Sequence, residues 1–151
     1  MTNERDRTAD RRTSDLVELQ QLCARYMAYT SQFIEDRWLD VFTPDIEYSA
    51  FGTPYTLDRF PALLDAAPRG QFIGNIPVVE LGIDGDSDRA TGMQHFVFID
   101  QQTHAMRLGW YRDEYARTPD GWRIRRRSTT FMRKHGGFDS GVQHDPLAEQ
   151  R

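Results

Sequence analysis

Four extended runs follow one another in the second half of the chain, at residues 71–83, 89–100, 104–117 and 122–133. They are rich in aromatic and β-branched residues, and only short breaks part them: Asp84-Gly85-Asp86, Asp100-Gln101-Gln102 and Pro119-Asp120-Gly121. Turn chemistry at such intervals is a hairpin signal, so these runs read as an antiparallel meander. A sheet of that kind needs cover on at least one face.

The first half can provide it. Leu16, Leu19, Leu22, Cys23, Tyr26, Met27 and Thr30 recur at spacings of three and four, which makes one stripe of an amphipathic helix. Ser14 is placed to cap that helix, with Asp15 and Glu18 in its first turn. A second, short helix is expected over 35–42, stopped by Pro44, which disfavours helical geometry at Thr43. A strand follows over 46–51, broken by Gly52-Thr53-Pro54. A third helix is expected over 57–67, with Phe60, Leu63 and Leu64 on one side. Helices first and a meander second predict an α+β domain over 14–139. Residues 2–13 are almost wholly polar and read as a disordered arm, and 140–151 as a similar tail.

Composition removes several function classes. One cysteine, Cys23, supports neither a disulfide scaffold nor a thiolate zinc site. A net charge of −4 argues against bulk binding to nucleic-acid phosphates. No apolar run approaches the ~20 residues of a membrane span. The charged N-terminus has no apolar stretch behind it, so it is not read as a signal peptide. A soluble, cytoplasmic protein is the expectation. His104, His135 and His144 show no metal-ligand spacing, and no glycine pair opens a helix after a strand, so no metal and no phosphate loop are expected.

Four stretches, taken together and in order, resemble the SnoaL-like branch of the nuclear transport factor two-like superfamily. Arg25-Tyr26 lies one helix before Trp38-Leu39-Asp40-Val41-Phe42-Thr43-Pro44-Asp45, and Gln71-Phe72-Ile73-Gly74-Asn75 opens the first long run. Gly109-Trp110-Tyr111-Arg112-Asp113 sits in the third run, and Asp120-Gly121-Trp122-Arg123-Ile124 opens the last. The resemblance covers residues 15–138. It implies a cone-like, strongly bent sheet of mixed or antiparallel strands, wrapped on three N-terminal helices around a pocket. It also implies an outer sheet face that forms a homo-oligomer.

Scytalone dehydratase and hexachlorocyclohexane dehydrochlorinase, members of that branch, remove a proton and expel a leaving group without a cofactor. The resemblance places their Asp at Ser31 and their His at Gln71, and neither residue is a base near neutral pH. Both can still hydrogen-bond a substrate. Asp100 falls where scytalone dehydratase has a second histidine. In an apolar pocket lined by Phe96 and Phe98 its pKa would rise and it could move a proton, though its plainer role is to start a turn. Arg127 matches the dehydrochlorinase arginine that meets the leaving anion. Alternation puts it on the face of Arg125 and Thr129, and inside the fold it needs a carboxylate, Asp113 or Asp100, or an anionic ligand. Tyr111 fits the branch's Gly-x-Tyr-x-Asp pattern and could donate to an oxyanion, or pack in the core. Tyr26 belongs to the helix stripe, whereas Tyr29 lies off it and is the better ligand candidate. His95 alternates away from Phe96 and Phe98, toward the oligomer face, unless a bulge turns it inward as a rival base.

The expectation is therefore a cofactor-independent lyase, isomerase, cyclase or epoxide-opening enzyme acting on an apolar, oxygenated small molecule. Asp100 or His95 would move the proton, with Tyr111, Gln71, Ser31 and Arg127 orienting the substrate. The alternative is a small-molecule binding protein on the same scaffold, because both dyad positions have lost their chemistry.

Overall fold

A computed structural model describes residues 3–50 and 52–139. Helix α1 (Glu4–Gln32) carries the expected stripe, with Leu19, Leu22, Cys23, Tyr26, Met27 and Thr30 buried. It begins ten residues before Ser14, which corrects both the expected cap and the expected disordered arm. Once a helix is nucleated, each further turn adds backbone bonds at small entropic cost. The added turns are exposed, and the Thr8 and Thr13 hydroxyls donate to the carbonyls of Glu4 and Ala9, four residues back. Phe33 closes the helix in the left-handed region at φ 56°. The expected tail, 140–151, lies outside the described residues.

Helix α2 (Glu35–Leu39) is shorter than expected, because Phe42 already belongs to strand β1 (Phe42–Ala50). Pro44 sits inside β1 at no cost to the ladder. The register between β1 and its neighbour jumps from Phe42 to Glu47, so residues 43–46 are not paired. Strand β2 (Thr53–Tyr55) turns back on β1, and a 3-10 turn at Leu57–Arg59 leads into α3 (Phe60–Ala66).

The run at 71–83, expected as one strand, is two: β3 (Gly70–Gly74) and β4 (Val78–Ile83). Both pair with β5 (Asp86–Asp100), β3 near its end and β4 near its start. Asn75 fills the gap between them. Its carbonyl accepts from Gln94 Nε2 at 2.7 Å and its Oδ1 accepts from the His95 N–H at 2.8 Å. Strands β6 (Met106–Thr118) and β7 (Gly121–Met132) complete the meander, and β8 (Phe138–Asp139) adds to β7.

The sheet runs in the order β2-β1-β7-β6-β5-β3, with β4 beside β5. The β1–β7 pair is parallel and the other pairs are antiparallel. The sheet is mixed and open, with three helices packed against it, so the α+β expectation holds. Two anchors tie α1 to it. Arg117 forks onto Asp15 through Nη1 and Nη2 at 2.7 and 2.8 Å, and Glu18 accepts the Trp122 backbone N–H at 2.8 Å. No described helix is long and apolar enough to cross a membrane.

Candidate functional site: an aromatic cavity beneath the helices

A cavity of about 230 Å³ lies where α1, α2, β1, β2 and α3 meet β3, β5, β6 and β7. Aromatic rings make most of its wall: Tyr26 from α1, Trp38 from α2, Tyr48 and Tyr55 from the first hairpin, Phe72 from β3 and Phe98 from β5. Their crowding follows from the sequence pattern. Alternation along β3 and β5 turns Phe72 and Phe98 to one face, where their rings lie 4.9 Å apart. The hairpin pairs Tyr48 with Tyr55, 6.3 Å between ring centres.

Polar groups on this wall are few, and all but Arg107 are neutral. The Tyr26 and Tyr48 hydroxyls are 3.3 Å apart, and Thr129 Oγ1 donates to Tyr48 at 3.4 Å. Burial pushes both phenols well above their ordinary pKa, so they stay protonated donors. Thr30 spends its hydroxyl on the Tyr26 carbonyl at 2.6 Å. Trp38 has a buried indole N–H with no partner among the described residues. Arg107 is the charged residue of the lining; no Asp, Glu or His belongs to it.

The structure places the expected site residues as follows. Phe98 lines the cavity. Phe96 is buried behind the wall, stacked on Tyr111 at 4.6 Å. Asp100 is a turn residue. Its Oδ1 accepts the backbone N–H groups of Gln102 and Thr103 at 2.8 and 3.0 Å. Those bonds, Thr103's foremost, hold its pKa below the usual 3.8, the opposite of the expected rise. His95 is exposed on the other face of the sheet, its ring 6.0 Å from Trp110. Tyr29 is half-buried in a separate shallow groove with Arg25 and Asp40.

Ser31 and Gln71 do come together, in an open groove between α1 and β3 rather than in the cavity. Ser31 is committed there. Its Oγ donates to the Met27 carbonyl and accepts the Phe72 N–H, both at 2.8 Å. The inward positions belong to their neighbours Thr30 and Phe72.

Arg127 is inside, but the alternation that was to put it with Arg125 is broken. The β6–β7 register passes from Glu114–Arg126 to Tyr115–Ile124, so Arg125 is a bulge. Arg125 turns out to Asp45 at 3.0 Å, while Arg127 turns in and meets Asp113. The rings of Tyr26 and Tyr111 lie over the guanidinium, each at 4.1 Å. With Nε and Nη2 spent on Asp113 and both faces covered, Arg127 is a core group that does not reach the cavity. Tyr111 is likewise core, its phenol pushed far up by burial.

Sequence reasoning missed Trp38, Tyr48, Tyr55 and Arg107 as lining residues. Tyr48 and Tyr55 lie at equal distance on either side of Phe51-Gly52, a signal that they share a face. Nothing local marks Arg107. Among the described residues, no three His, Cys, Asp or Glu side chains gather as metal ligands would.

The SnoaL-like domain model matches residues 11–128. An uncharacterized protein of Mycobacterium tuberculosis is 37% identical over 130 residues, covering 78% of this chain and 85% of its own. Among solved structures, a nuclear transport factor two-like protein with a cystatin-like fold from Novosphingobium aromaticivorans superposes with a TM-score of 0.72. It is 22% identical and covers 85% of this chain and 90% of its own. A hexachlorocyclohexane dehydrochlorinase superposes with a TM-score of 0.65 at 15% identity, over 95% of this chain and 98% of its own.

Proposed function

This chain belongs to the SnoaL-like domain family, and on that premise we propose that it binds a small, ring-bearing apolar molecule without converting it. The wall of the cavity carries the reading. It offers ring faces and neutral phenols, with Arg107 as its charged residue, and it lacks a carboxylate or imidazole. An apolar cavity of roughly 150 Å³ holds benzene, so about 230 Å³ suits one substituted ring or two fused rings.

A dehydrochlorinase is among the fold's relatives, so acid–base lyase chemistry is the rival reading. It needs a proton carrier beside the ligand, and both candidates lie elsewhere: Asp100 in its turn, His95 on the outer face.

The test is a titration of the protein with uncharged bicyclic phenols and ketones such as 2-naphthol and 2-acetylnaphthalene, read by tryptophan fluorescence, then long incubation and product analysis. Saturable binding with the ligand recovered unchanged is expected. Conversion above the uncatalysed rate would replace the binder by the enzyme, and failure of every compound to saturate would remove the site.

We further propose that the outer sheet face joins two copies of the chain. Leu108 and Met132 lie opposite each other there, 44% and 49% exposed, beside Met106 at 67%. Such a patch is a common mark of an interface. Light scattering should give twice 17.6 kDa; the monomer mass would rule the pairing out.

A further inference from the structure

Three arginine side chains lie on the faces of rings that line the cavity. The Arg69 guanidinium is 3.3 Å from the centre of the Phe33 ring, Arg107 is 5.9 Å from that of Phe98, and Arg59 is 5.3 Å from that of Tyr55. Arg107 lines the cavity, and Arg69 lies between two other lining residues, Pro68 and Gly70. Arg69 precedes Gly70, which pairs with Asp100, and its carbonyl accepts the Gln101 N–H at 2.9 Å. Arg107 pairs with Phe98 on the next strand. Both are exposed, and neither has a carboxylate within ion-pair distance among the described residues. By contrast Arg117, Arg125, Arg126 and Arg127 each hold an acid.

We propose that the ligand of this cavity is an aromatic carboxylic acid, its ring inside and its carboxylate at the rim on Arg107 and Arg69. The proposal rests on the binding reading above and names the class of molecule bound. Its physical basis is a division of labour. An ionised carboxylate cannot enter a wall of rings and neutral hydroxyls without losing its hydration. At the rim it keeps water on one side and meets guanidinium N–H groups on the other. Stacking on a ring occupies the face of the guanidinium and leaves its in-plane donors free for two parallel bonds to a carboxylate. Asp100 is the group that opposes this. It faces the same rim, and its charge interacts with Arg107.

Binding of 2-naphthoate against its neutral isostere 2-naphthamide tests the proposal. Exposed pairs of this kind contribute a few-fold each, so the acid should bind about tenfold tighter at low salt, and the preference should shrink toward 1 M salt. Arg107→Gln and Arg69→Gln should each remove roughly threefold of that preference, chiefly through the acid. Asp100→Asn keeps the side-chain oxygen that closes its turn and removes the charge, so it should strengthen binding of the acid. Equal binding of acid and amide, or a preference that survives both arginine changes, overturns the carboxylate proposal and leaves the cavity site standing. Binding of neither overturns both.

Discussion

Arg127 and Asp113 form a two-bond fork wholly out of water: Nε to Oδ1 at 2.8 Å and Nη2 to Oδ2 at 2.7 Å, both side chains fully buried. Tyr115 adds a third bond to Asp113 Oδ2 at 2.8 Å, and Cys23 Sγ lies 3.3 Å from the Tyr115 hydroxyl. Burial works to lower the pKa of Arg127, but the Asp113 charge beside it holds it well above the ordinary value. The fork belongs to the core, and it explains why an arginine expected to meet a leaving anion is unavailable for that task.

Breaking the fork from one side strands a buried charge. Asp113→Leu or Arg127→Met should each cost about 3–5 kcal/mol of stability. The joint change Asp113→Leu with Arg127→Met should cost less than the sum of the two. Urea unfolding of the four proteins measures this, and additive losses would show that the pair is not coupled.

Cys23 is buried, and its thiol is pushed up to about 11, by burial first and then by the Asp113 charge. The thiolate is the reactive form. The native protein should therefore resist thiol reagents at pH 8 and react fully in denaturant. Rapid labelling of the folded protein would contradict this burial.

Acid should loosen the tie between α1 and the sheet. Arg117 hydrogen-bonds to Asp15 and, against a smaller opposing effect of burial, lowers its pKa below 3.8; the Trp122 indole bond at 3.0 Å acts in the same direction. A carboxylate depressed in the folded state stabilises fully above its unfolded value, and that stability is lost as pH falls through the lower, folded value. The midpoint of unfolding should fall below about pH 4. Asp15→Asn should remove about 1–3 kcal/mol at pH 7 and flatten this acid limb. An unchanged pH profile would count against the assignment.

Filling the cavity should abolish binding while sparing the fold. Leu63 lines it and is half-buried, so Leu63→Trp can place bulk in the void without disturbing the buried face of α1. Affinity for any ligand of the site should drop more than tenfold, with Tm moved by only a few degrees. Unimpaired binding would locate the ligand elsewhere.

Much of the fold was legible along the chain because its signals are local. The α1 stripe is a period of three and four written in adjacent residues, and the meander announces itself by turn chemistry between runs. The demand that an inward Arg127 find a carboxylate was also readable, because an unpaired buried guanidinium is untenable. Asp113 was one of two partners on offer. The site was much less legible. The resemblance places the two dyad positions at Ser31 and Gln71, and the structure gives the inward places to Thr30 and Phe72. A helix side chain turns about 100° per residue and a strand side chain about 180°, so an offset of one residue moves a candidate from the cavity to the outside.

From its sequence alone the chain determines the order of its elements, the buried stripe of α1 and the antiparallel meander, since each is encoded by neighbours within a few residues. Tertiary structure alone decided the bulge at Arg125, the break at Asn75 that splits β3 from β4, and the chemistry of the cavity wall. Those features depend on register between strands distant in the chain, and on a void whose lining is contributed by segments that share no local pattern.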